Sequence, residues 1–300
     1  MTDSYVQVQP DSSGKKLQTY LNTVGAESVH SEAMTLTNTD GVAVPTVNGK
    51  PRISAMPYIY DIAEGNVTGH KSFTKLGNVN TVVNAEQDVW SVGGKYVFPT
   101  SAMQMEVASA NAQDTADGTG IQQVKIYYLD STFAEKTETV TLNGGVVATT
   151  ATDIYRVNAM RAARVGTDGK AAGLITLRHL SDTPIYRSIS AGQTRGRSLI
   201  HTVPLGKTLY LIESNISSSA TVAGHFSTFT LRANYDDQLD TKVTWMEPIS
   251  EIALQDQAFR WSFDSPIKIP ATCDVVMSVI ADSSNANTMC HGSLRGWTET

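Results

Sequence analysis

Cysteine is scarce: the 300 residues contain two, Cys273 and Cys290. Two thiols make no disulfide framework, and both are expected free and reduced unless adjacent strands carry them. Charge is sparse as well, at 17% of residues against about a quarter in an ordinary soluble protein. Uncharged Thr, Ser, Asn and Gln fill the gap. The balance is acidic, with a formal net charge of -6, and no basic stripe with interleaved aromatics is present. Nucleic acid is therefore not an expected partner. Arg156, Arg161, Arg164, Arg178, Arg187, Arg195 and Arg197 fall close together, and read as ordinary surface charge paired with the surplus of acids. No apolar stretch approaches the length of a membrane span, so no membrane partner is expected. The opening Met1-Thr2-Asp3-Ser4-Tyr5 has neither a basic nor an apolar region of a signal peptide, which makes cytoplasmic synthesis the expectation. With 41% hydrophobic residues the chain can bury a core, and disorder is rejected.

Convergent chemistry is also missing. His30, His70, His179, His201, His225 and His291 stand singly, with no metal-ligand pair spacing. Cys290 and His291 are adjacent on an expected strand, so they point to opposite faces. The loops 114–118 and 234–240 are oxygen-rich but do not follow the EF-hand pattern, and read as solvated turns. There is no Gly-x-Ser-x-Gly, and Gly192-Gln193-Thr194-Arg195-Gly196-Arg197 has no phosphate-loop lysine after it. Glu106, Glu247, Glu251, Asp256 and Asp264 are free carboxylates that nothing distinguishes from surface acids. No catalytic residue, metal or cofactor is assigned, and the chain is expected not to be an enzyme.

What the chain does have is period-two alternation broken by glycine turns. Gln122-Gln123-Val124-Lys125-Ile126-Tyr127-Tyr128-Leu129 and Lys136-Thr137-Glu138-Thr139-Val140-Thr141-Leu142 each bury one face, and Asn143-Gly144 closes with a tight turn. Further strands are expected at 87–92, 95–98, 102–109, 153–157, 173–178 and 184–189. Beyond Leu199 they are expected at 201–211 about a Pro-Gly turn, then at 226–235, 241–247, 259–262, 265–269, 273–281 and 292–297. The fold class is all-β: an extended N-terminal arm followed by β-sandwich or jelly-roll-like domains. The arm and linker cover residues 1–70, one sandwich 71–198 and a jelly-roll-like sandwich 199–300. Within the arm, 16–24 and 29–36 can pair around Gly25-Ala26-Glu27. Residues 58–62 read equally as helix or strand. The segment 111–120 reads as an exposed loop. Similar strand-proline-strand patterns at 96–107 and 267–279 suggest two sandwiches in succession. The first 50 residues hold few large apolar side chains, so the arm is expected to lie along another protein or another copy.

Trp245, Trp261 and Trp297 are the candidate interaction residues. Tryptophan can stack on a sugar, but a sandwich core or a subunit contact needs such side chains too.

Three stretches carry a resemblance. Val8 to Lys16 with Thr23-Val24-Gly25-Ala26 and Val29-His30 is one. Val124 to Asp130 with Thr139 to Gly144 and Gly169-Lys170-Ala171-Ala172-Gly173 is the second. Pro266 to Thr272 with Ser293-Leu294-Arg295-Gly296-Trp297 is the third. Together they resemble structural proteins of tailed bacteriophages, of the head-decoration or tail-associated type. The resemblance implies a virion protein on the outside of the particle, made in the host cytoplasm. Capsid decoration or cement is the first reading, with the major capsid protein and a homotrimer of itself as partners. The alternative is a tail- or neck-associated adhesin or fibre protein binding host surface carbohydrate. A secreted-type carbohydrate-active enzyme is disfavoured, because no signal and no paired carboxylates are found.

Overall fold

The computed structural model describes residues 58–300 apart from 83, 220–225, 256 and 283–287, and the backbone of five strands before them. The protein is nearly all β, with 58% of residues in strands and 3% in helix. The chain separates into two compact units, Met1–Pro57 and Tyr58–Thr300.

In the first unit, β1 (Asp3–Gln7), β2 (Lys16–Val24) and β3 (Glu27–Glu32) form an antiparallel meander, and β4 (Thr46–Val47) pairs with β5 (Lys50–Pro51). β2 and β3 pair with Val24 opposite Glu27, so the second strand begins two residues before the expected 29–36 and ends at Glu32. The Pro-Asp-Ser-Ser-Gly run at 10–14 and the Asn-Thr-Asp-Gly run at 38–41, turn signals in the sequence, lie outside the described residues.

The second unit opens with α1 (Tyr58–Glu64), which settles the ambiguous stretch 58–62 as helix. It continues with β6 (His70–Asn80), β7 (Gln87–Asp88), β8 (Met105–Ser109), β9 (Ile121–Leu129), β10 (Glu135–Thr141), β11 (Ala148–Thr149) and β12 (Arg156–Val165). Then come β13 (Ile175–His179), β14 (Ile185–Ile189), β15 (Ile200–Thr202), β16 (Thr208–Ser218) and β17 (Ser227–Asp236). The last four are β18 (Thr241–Leu254), β19 (Gln257–Ile269), β20 (Asp274–Ala281) and β21 (Met289–Glu299).

One sandwich packs the sheet β10-β9-β12 against β11-β8-β13-β14. Its core takes Val124, Ile126 and Tyr128 from β9, Val107 from β8 and Leu177 from β13. The other packs β15-β20-β17-β18 against β6-β21-β16-β19, with β7 extending the edge of β20 beyond β15. Its core takes Phe229, Leu231, Val275, Met277 and Leu294. Ranking its eight long-sheet strands by sequence, the two sheets run 1-8-3-6 and 2-7-4-5. That doubly wound order is jelly-roll-like.

Sheet membership cuts across the division at 198/199. β6 pairs with β21 from His70↔Glu299 to Asn80↔Met289, so the jelly-roll-like sandwich begins near residue 70 and the other sandwich is inserted after its first strand. The two do not follow one another. Alternation shows which face of a strand is buried, but it carries no information on a partner more than 200 residues away, hence the difference. The suggested repeat dissolves likewise: residues 95–98 form no strand, whereas β19 and β20 are long. The expected pieces 259–262 and 265–269 are one strand.

Leu199 marks the join. It is fully buried, and Gly77 and Gly292, register partners on β6 and β21, both face it. A β-carbon on Gly77 would lie 2.7 Å from Leu199 Cγ, and one on Gly292 2.5 Å from its Cδ1. On β15 and β20, Ile200 and Val276 are register partners that pack into the inserted sandwich's core. A buried ion pair sits beside them. Arg156 Nε donates to Asp274 Oδ1 at 3.1 Å and its Nη1 to the Pro99 carbonyl at 2.6 Å, while Thr202 Oγ1 donates to the same carboxylate. Each charge is paired and further hydrogen-bonded, as burial requires.

The loop 111–120 is not simply exposed, because Asp114 is fully buried within it. Its Oδ1 accepts from the N–H groups of Ile121 (2.8 Å) and Ala172 (2.9 Å). Its Oδ2 accepts from Ser109 Oγ (2.6 Å) and the Gly173 N–H (2.9 Å). One carboxylate thus ties together three loop ends whose backbone donors would otherwise be orphaned.

Candidate interaction surface

β18 and β19 are edge strands of the two sheets of the jelly-roll-like sandwich, at the ends opposite β15 and β6. Both carry a proline in mid-strand, Pro248 and Pro266. Proline has no N–H to give to a ladder and is confined to edges and bulges. In β19 the pairing with β16 jumps from Ser262↔Glu213 to Ile267↔Leu211, so residues 263–266 bulge away from the sheet.

Between the two edges runs an open groove of about 960 Å³. Its walls carry Ile249, Phe263 and Ile267, which are half-buried against the sandwich core. Asp236, Asp237, Glu247 and Asp264 face it against a single Lys268, so the groove is acidic. At one end Asp236 Oδ1 accepts from the N–H groups of Gln238 and Leu239 and shapes the turn. Tyr235 donates its hydroxyl to Asp240. Burial, with that carboxylate beside it, pushes the phenol up to about 12. The same bond holds the Asp240 carboxyl below its ordinary value.

The three tryptophans occupy different settings, and no ring contact joins any two of them among the described residues. Trp245 on β18 is 57% exposed and donates Nε1 to Glu247 on the groove wall. Trp261 on β19 packs on the core and on Phe263, ring centroids 5.5 Å apart. Trp297 on β21 is buried, stacked on Tyr210 at 5.3 Å and met edge-on by Tyr58 of α1 at 5.8 Å. Trp297 is thus a packing residue. The groove itself was not legible from composition, although prolines inside two alternating segments signal edge strands.

Of the carboxylates singled out in sequence, Glu247 and Asp264 face the groove, while Glu106 and Glu251 have other partners. Glu106 pairs with Arg178 (2.8 Å), and Glu251 accepts from Thr230 Oγ1 (3.0 Å). Asp256, His30 and His225 lie outside the described residues. Among the described residues no three His, Cys, Asp or Glu side chains are grouped to hold a metal. No helix among them is long and apolar enough to cross a membrane. Cys273 and Cys290 are free and buried, and burial pushes each thiol up to about 11.

No known protein family matches this sequence, and no curated protein does. Solved chains of infectious bursal disease virus show a weak likeness. One from the Gt strain is 12% identical over 81% of this chain and 78% of its own, with a TM-score of 0.22. One from the T=13 viral particle is 10% identical over 77% and 69%, with a TM-score of 0.23. One from T=1 particles derived from that virus is 11% identical over 81% and 75%, also at 0.23. A likeness at these scores assigns neither a fold nor a role to this chain.

Proposed function

We propose that this chain is a non-catalytic structural protein of a virus particle that assembles through exposed sheet edges. The observation that carries the reading is the pair of free edges, β18 and β19, flanking an open groove on a jelly-roll-like sandwich. A long free edge is a template for pairing with another chain; Pro248 and Pro266 interrupt these two, leaving the segments on either side of each proline to pair. Here the strands run 14 and 13 residues and keep Trp245 and Phe259 exposed beside them. The resemblance of the sequence to phage structural proteins points the same way. Decoration of the capsid exterior, as a trimer seated on the major capsid protein, is the form this assembly takes in our reading. The unit of residues 1–57 serves as the attachment arm.

A second reading has its own observation. The exposed indole of Trp245 beside an acidic groove offers a stacking face and hydroxyl acceptors, the chemistry of a carbohydrate site on a tail adhesin. Electron microscopy of intact particles labelled with antibody to this chain separates the two. Labelling over the whole head is expected. Labelling at one vertex favours the adhesin, and unlabelled particles refute both.

A further inference from the structure

The arginines that crowd residues 156–197 do not share one role. Arg156 pairs with Asp274, Arg178 with Glu106 and Asp182, and Arg197 donates to Gln193 Oε1. Arg161, Arg187 and Arg195 instead line one cavity of about 280 Å³ where the two sandwiches meet, together with Lys75 of β6. Tyr127, Asn158 and Ser198 supply its polar wall, and no carboxylate lines it.

Lys75 shares its face of β6 with Phe73, Gly77 and Val79, so its ammonium reaches inward. It donates to the carbonyls of Asn158 and Ile200 (2.7 Å to the latter). Its third proton has no protein acceptor among the described residues. Arg187 is 2% exposed and donates to the same Ile200 carbonyl at 3.0 Å and to those of Val157 and Tyr186. Two cations therefore share one acceptor inside the protein. The Arg187 Nε–H and the Tyr127 hydroxyl are buried without a partner. Lys125 and Arg161 stand over the Tyr127 ring at 5.5 Å and 4.7 Å. None of Lys75, Lys125, Arg161, Arg187 and Arg195 makes an ion pair among the described residues, in a chain whose net charge is -6.

Lys75 and Arg187 are cations held inside with no counter-charge, which is costly, and an anion would complete the cluster they form with the exposed Arg161 and Arg195. Burial and the neighbouring Arg187 hold the Lys75 ammonium well below its ordinary value, the state an anion would reverse. The cavity is far larger than the roughly 10–15 Å³ that admits one water, which is roomy for a chloride and fits a tetrahedral oxyanion with part of its carrier. Planar guanidinium forks and a point-like ammonium are the donors that phosphate and sulfate take.

We infer that the cavity between the two sandwiches is a binding site for a phosphate or sulfate group, held by Lys75, Arg187, Arg161 and Arg195 with the Tyr127 hydroxyl donating. The site is independent of how the protein assembles.

Titration calorimetry of the full chain at constant ionic strength tests it, with inorganic phosphate, sodium sulfate and glycerol phosphate as probes. Saturable one-to-one binding of at least one probe is expected. It should weaken at least tenfold in the Arg161→Ala/Arg195→Ala double variant, whose side chains lie at the exposed rim and leave the fold intact, and again in Lys75→Met. Tighter binding of glycerol phosphate than of the free ions would assign the group to an ester, and the reverse to a free ion. No saturable heat with any probe, or binding unchanged in the rim double variant, overturns the inference.

Discussion

Asp114→Ala removes the acceptor of four hydrogen bonds from the interior of the inserted sandwich. Three of the donors are main-chain N–H groups, of Ile121, Ala172 and Gly173, which have no other protein partner to turn to. A buried donor left unsatisfied costs about 1–3 kcal/mol, so the four together set an upper bound of about 4–12 kcal/mol. Two effects offset part of it. The variant no longer desolvates a carboxylate, and a water can enter the space and accept from two or three of the donors. A net loss of about 3–5 kcal/mol remains, the range seen when one partner of a buried charged group is deleted. For a body of this size that lowers the melting temperature by about 6–20 °C. Asp114→Asn should lose a similar amount, because its NH₂ would face two donors in place of an oxygen. Asp117→Ala, on the exposed side of the same loop, should stay within about 0.5 kcal/mol of the parent. Urea melts of the three variants provide the measurement. A loss below about 1 kcal/mol in Asp114→Ala would refute the argument that the carboxylate holds the loops.

Other perturbations test other parts of the molecule. Trp297→Ala should destabilise the body by about 3–5 kcal/mol through lost stacking on Tyr210 and the lost edge contact with Tyr58, whereas Trp245→Ala should leave the melt unchanged and weaken self-association or glycan binding. Asp88 is buried and accepts from the Tyr96 N–H, and burial raises its carboxyl from 3.8 to about 6. Its protonated form is the one favoured in the folded state, so its contribution is full below pH 4 and is lost as pH rises through 6. Relative to Asp88→Asn the parent should therefore lose about 3 kcal/mol between those limits; parallel pH curves for the two proteins would contradict this. Deleting residues 1–57, a unit of its own, should leave the melt of 58–300 within a few degrees while abolishing attachment to particles. A large drop in melting temperature would show that the first unit stabilises the body.

The strands were readable because a half-buried strand must alternate. Val124, Ile126 and Tyr128 face the sandwich core in β9, and Lys125 and Tyr127 lie on the opposite face. Helix α1 was less readable, since Tyr58 to Ile62 fits either period and the helix is only seven residues long. Asp114 was read as a solvated turn because a short acidic residue among Thr, Ala and Gly has that local signature. Only the approach of residues 171–173, far along the chain, turns it into a buried acceptor. The arginines show the same limit. Their sequence clustering was plain, but which of them meet an acid depends on where Asp274 and Glu106 arrive.

What the sequence determined by itself was class and surface: an all-β chain, low in charge, without a convergent metal or nucleophile pattern. Local alternation, turn glycines and composition suffice for that, since each acts within a few residues. The tertiary structure alone decided that β6 closes on β21, that one sandwich interrupts the other, and that Lys75 meets Arg187 in the cavity between them. Those outcomes depend on contacts across more than 100 residues, and for β6 and β21 across more than 200, and pairing at that range is selected by the packing of whole sheets rather than by any signal carried in the strand itself.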